Sequence, residues 1–129
     1  MDYSVKIQHS TKELTARERV KIKDTGNATA LDSIVGDNDK LVIGYAYHAI
    51  LAIHNEKGED KDYTNVVVVD REGNKFYTGS DSFLKSLTEI VDEMTDAAEG
   101  GMVEDFDIEV YRRESKNYKG KTFIACSIM

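Results

Sequence analysis

Alternation of apolar and polar positions runs through this chain from its start. Tyr3 to Gln8 alternate, with Val5 and Ile7 on opposite parity to Lys6 and Gln8, and read as a short strand. Ser10 followed by Glu13 has capping-box spacing and fits the opening of a helical turn. In LTARERVKIKD, Leu14, Ala16, Val20 and Ile22 alternate with polar residues, which predicts a strand from about Arg17 to Lys23. Asp24 to Asn27 form a loop, ALDSIV has the length of one helical turn, and Asp37-Asn38-Asp39 breaks the chain again.

From Leu41 to His54 the segment LVIGYAYHAILAIH is rich in strand-forming residues, with Gly44 marking a bulge or bend. After the polar loop NEKGEDKD, the run TNVVVVD predicts a strand buried on both faces. Asp70 to Asn74 supply a hairpin turn, and KFYT returns as the partner strand, with Phe76 inward and Tyr77 exposed. A helix follows in TGSDSFLKSLTEIVDEMTDA. Ser80 or Asp81 caps it, and Phe83, Leu84, Leu87, Ile90, Val91 and Met94 line one face. FDIEVYRR and TFIACSIM complete the pattern as two strands, Phe106, Ile108 and Val110 facing away from Tyr111.

From residue 41 the order is strand, strand, strand, helix, strand, strand. That mainly β pattern with one principal helix matches an OB-type five-stranded barrel. Residues 1–40 then form an N-terminal β extension and residues 41–129 the core of a single domain. The alternative is an α+β sheet carrying one helix on one face.

Composition narrows the functional classes. The 129 residues include one cysteine, Cys126, so no intrachain disulfide framework is expected. Neither a signal-peptide core nor an apolar run of membrane-spanning length is present, and the expectation is a soluble, cytoplasmic chain. Catalytic and metal sites find little support. His48 and His54 share strand parity but stand about 20 Å apart at strand rise. Cys126 sits in an apolar strand, and no phosphate-cradling glycine loop occurs. The expectation is a non-enzyme with no cofactor and no metal.

Charge is the most informative property. The formal net charge is -7, yet RRESKNYKGK gathers Arg112, Arg113, Lys116, Lys119 and Lys121 around Asn117 and Tyr118. Cations neutralise phosphates, and a tyrosine offers a flat ring on which a base can stack. An ordinary solvated hairpin, its lysines guarding a sheet edge, explains the same residues. Arg17, Arg19, Lys21 and Lys23, if on a strand, share one face and extend the basic surface. Exposed tyrosines, Tyr77 and Tyr111 besides Tyr118, are further candidate platforms. Glu89, Asp92, Glu93 and Asp96 begin an acidic run at the end of the predicted helix, where the macrodipole disfavours them. They either aid solubility or meet a basic protein partner.

FYTGSDSFLKSLTEIVDEM and YRRESKNYKGKTFIACSI, within residues 63–129, resemble small single-stranded DNA-binding proteins encoded by bacteriophages and mobile elements of Gram-positive bacteria. The resemblance implies an OB-type fold, sequence-tolerant binding of single strands, and a role in DNA replication or recombination in the bacterial host cytoplasm. Single-stranded DNA is the implied partner, with replication or host proteins and further copies of the chain left open. The alternative is a protein–protein module or inhibitor acting on a host factor through the acidic helix. Many bacterial single-strand binders recruit partners through an acidic tail; with FIACSIM as the last segment here, recruitment by that route is not expected.

Overall fold

The computed structural model describes residues 3–56, 62–98, 103–115, 117 and 120–129. The chain is mainly β, with seven strands and three α-helices among these residues. It forms two compact units, residues 1–30 with 46–79 and residues 31–45 with 80–129. Strand β3 (Lys40–Asn55) is common to both, its first residues in the second unit and its remainder in the first.

The first unit holds β1 (Tyr3–Ser10), α1 (Ala16–Lys23), β2 (Thr29–Ala30), β4 (Asp62–Asp70) and β5 (Lys75–Thr78). Its strands run β2-β5-β4-β3, and β1 pairs antiparallel with β3 from Ala49 to Asn55. The core is Ile22, Ala49, Leu51, Ile53, Val67 and Val69, with Leu14, Tyr47 and Tyr77 packed against it. Val66 to Val69 are all buried, as expected of an unbroken apolar run covered on both faces. The β4–β5 turn is held by Asp70. Its carboxylate accepts from the backbone N–H groups of Glu72 (3.0 Å) and Asn74 (2.7 Å). Gly73 takes the left-handed conformation, φ +92°, that the turn needs.

Residues 17–23 are helical, not extended. The alternation that predicts a strand is real in sequence, but only Ile22 is buried, while Val20 is 71% exposed. Local bonds decide the conformation. Thr15 and Glu18 form a reciprocal capping box at the N-terminus. The Lys75 ammonium donates to the carbonyls of Lys21 (2.5 Å) and Asp24 (3.0 Å) at the other end. The predicted capping box at Ser10 and Glu13 is displaced accordingly; Ser10 ends β1 and its hydroxyl donates to the Lys12 carbonyl at 2.6 Å.

The second unit contains α2 (Leu31–Ile34), the start of β3, α3 (Asp81–Asp96), β6 (Phe106–Glu114) and β7 (Thr122–Ile128). β3, β6 and β7 pair antiparallel, and α3 packs on β7. Gly44 pairs with Asp107 in unbroken register, so the expected bulge is absent there; the irregularity lies in β1, between Ile7 and His9. Ser80 caps α3, accepting from the Phe83 N–H (3.2 Å) while donating to the Ile124 carbonyl (3.2 Å). That second bond fastens the helix start to β7. Phe83 and Leu87 are fully buried beneath it, a gain of about 2–3 kcal/mol each. Tyr45 and Phe106, opposite each other on β3 and β6, stack with centroids 4.9 Å apart. Cys126 is buried, which pushes its thiol up to about 12 and leaves it a packing group rather than a nucleophile. Among the described residues no helix is long and apolar enough to cross a membrane.

Candidate nucleic-acid interface

Arg17, Arg19, Lys21 and Lys23 are all exposed, and none makes a salt bridge among the described residues. Helical geometry divides them: Arg17 and Lys21 lie one turn apart on one side, Arg19 and Lys23 on the other. They are therefore a cationic sleeve around Val20 rather than the flat basic face that a strand would give. Glu18, the single acid of α1, is occupied. Lys12 pairs with it at 2.6 Å and the Thr15 N–H donates to it at 3.0 Å, which together hold its carboxyl down at about 2.

In the second unit the β6–β7 hairpin closes through Ser115, whose N–H donates to the Lys121 carbonyl at 2.9 Å, and Gly120 turns the chain with φ +80°. Arg112 does not face outward as a phosphate ligand. Its guanidinium donates to the carbonyls of Val35 (2.7 Å) and Asp32 (2.8 Å) and to the Thr122 hydroxyl (3.4 Å). Residues 31–34 are one helical turn, whose closing carbonyls need a donor, and Arg112 supplies it. Arg113 is exposed and lies over the Tyr111 ring, 5.8 Å from its centroid. Tyr111 is half-buried, its hydroxyl 2.6 Å from the Ser127 hydroxyl, so it is tied to β7 rather than held out as a platform. Asn117 and Lys121 are exposed; Lys116, Tyr118 and Lys119 lie outside the described residues.

Tyr77 reverses its predicted role. It is half-buried, not exposed: it pairs with Val67 in the β4–β5 ladder and packs against the core of the first unit, and Phe76, opposite the buried Val68, is half-buried on the other face. Both faces of β4 are covered, so both neighbours on β5 find apolar partners.

A concave surface absent from the sequence reading lies on the same unit. Ser4, Lys6, Ala52, His54, Tyr63 and Thr64 line much of an open groove of about 510 Å³. Ser4 pairs with His54 and Lys6 with Ala52, so small side chains alternate with cationic ones across β1 and β3. Tyr63, at the start of β4, is exposed. His54 Nδ1 sits 2.7 Å from Asp62 Oδ1 and its Nε2 3.4 Å from Glu56 Oε1; these carboxylates raise its pKa and favour the imidazolium. An aromatic edge, a lysine and a protonatable histidine around a shallow floor are the ingredients that single-strand binding uses. The sequence carries a partial signal, the shared parity of Lys6 with Ser4 and of His54 with Ala52. Only the β1–β3 register brings the two pairs together.

No protein family, curated protein or solved structure matches this chain.

Proposed function

We propose that the chain is a non-catalytic, sequence-tolerant single-stranded DNA-binding protein built on an OB-type barrel, acting in phage or mobile-element DNA replication or recombination. The observation that carries this reading is the groove of Tyr63 and Lys6, a concave surface where a flat ring stands near a lysine, with His54 paired to Asp62 on its floor. Tyr63 stacks a base, which is worth about 1–3 kcal/mol per base, and Lys6 contacts the backbone, while His54 is engaged by Asp62 and Glu56 and shapes the floor. The cations of α1, on the same unit, add to the attraction; Arg113, Asn117 and Lys121 on the hairpin of the second unit are candidate contacts of their own. The barrel is supported by the element order from β3 onward, three strands, a helix and two strands. The resemblance of residues 63–129 to phage single-strand binders points the same way.

The test is Tyr63→Ala beside Lys6→Gln, each titrated with labelled oligo-dT. Both lose affinity, about 5- to 100-fold for Tyr63→Ala, with unfolding curves unchanged. Full retention of affinity in both rejects the groove as the binding site.

A second reading, a protein–protein module acting through α3, is favoured by one specific observation. Glu89, Asp92, Glu93 and Asp96 are all exposed, and the last turn of the helix holds no basic residue to offset them. Charge reversal at Asp92 and Glu93 would then abolish activity, whereas changes at Lys6 and Tyr63 would not.

A further inference from the structure

The second half of α3 is more than a row of carboxylates. Ile90 and Met94, one turn apart, form with Ile128 an apolar cleft of about 250 Å³, and Glu89 and Glu93 stand at its margin. Ile128 is 46% exposed although it ends a β-strand. Glu93 lies in the last turn, where the negative end of the helix dipole adds to its charge, so this end of the face gains from any cation laid against it. An apolar centre inside a charged rim is the composition of a docking surface.

The complementary shape is present on this same chain. Val20 of α1 is 71% exposed, flanked three residues to either side by Arg17 and Lys23. Arg17 and Lys21 are separated by one turn, about 6 Å of helix rise, and so are Glu89 and Glu93. Laid side by side, two cations of α1 meet two carboxylates of α3 and Val20 enters the cleft of Ile90, Met94 and Ile128. Val20, Ile128, Glu89 and Glu93 are exposed, and Ile90 and Met94 are half-buried at the floor of the cleft.

We propose that the chain self-associates head to tail, α1 of one copy seating its Val20 in the Ile90–Met94–Ile128 cleft on α3 of the next. The inference rests on the reading of α3 as a docking face and names its partner as a second copy. The two surfaces differ, so the contact is heterologous and propagates into open chains or closes into rings. An eight-residue helix offers a small contact, below the roughly 1,200 Å² of a standard interface, and the association is weak and salt-sensitive.

Sedimentation velocity on the full chain tests this, from micromolar to millimolar protein, at about 50 mM and about 500 mM salt. The wild type gains mass with concentration at low salt and returns to monomer at high salt. R17E/K21E and E89K/E93K each stay monomeric, but their equimolar mixture associates. In the mixture the unaltered α1 of one meets the unaltered α3 of the other, and the two reversed helices also match. Val20→Ser, a change at an exposed position, weakens association at least several-fold while circular dichroism is unchanged. A wild type that is monomeric throughout overturns the proposal, as does association that survives both charge reversals or fails to return in the mixture. If the wild type is monomeric yet E89K/E93K still abolishes activity, α3 docks a different protein and the second reading stands without this one.

Discussion

His48 is held neutral by burial. Its side chain is 2% exposed, and desolvation, with a smaller contribution from His9, lowers its pKa to about 4 from the usual 6.5. The unfolded chain therefore binds a proton that the folded chain refuses between those two values. Its contribution is fully present above pH 6.5 and falls as pH drops towards 4, by on the order of 3 kcal/mol in all. Urea unfolding followed from pH 7.5 to 4.5 should show this decline, and His48→Gln should flatten it. Arg112 makes a second case at this scale. Removing its bonds leaves the part-buried Val35 carbonyl short of a donor, while the exposed Asp32 carbonyl turns to water, so Arg112→Met should cost about 1 kcal/mol of stability while leaving single-strand affinity unchanged. In sequence Arg112 is one of a basic run and looks like its neighbours. Only the fold reveals that its charge serves the end of a short helix. Tyr77 is similar: two adjacent aromatics on a strand cannot be assigned to faces until the partner's register is known.

At the scale of elements, legibility follows how far each segment depends on distant partners. The run of valines in β4 and the long apolar stretch of β3 read plainly because burial and β-branching point to one answer. The helix α3 reads plainly because its apolar face spans four turns behind a serine cap. α1 does not, because eight residues with a single buried side chain carry no reliable period, and alternation there is coincidental. Its conformation is fixed by the Thr15–Glu18 box and by Lys75, which arrives from another strand. Thr15→Ala should therefore destabilise α1 by about 0.5–2 kcal/mol, measured as a loss of helical ellipticity and of the unfolding midpoint. The same substitution should weaken any binding that depends on the spacing of Arg17, Lys21 and Val20.

Across the whole molecule, charge is distributed by unit rather than averaged. The net charge is -7, but exposed cations concentrate on α1, with Lys6 at the groove, in the first unit, and exposed carboxylates on α3 in the second. An acidic chain can meet a polyanion if the local potential, not the sum, faces it. The sequence shows that positive charge is gathered against the trend. It does not show the groove, because Lys6, His54 and Tyr63 come from three separate strands and become neighbours only through pairing.

Fluorescence polarisation of labelled oligo-dT against a duplex of equal length, at several salt concentrations, tests the proposed activity most directly. Saturable binding to the single strand and at least tenfold weaker binding to the duplex are expected. The log–log slope against salt should fall by about 0.7 for each phosphate neutralised. No polarisation change at low salt with micromolar protein, or equal affinity for the duplex, would contradict it.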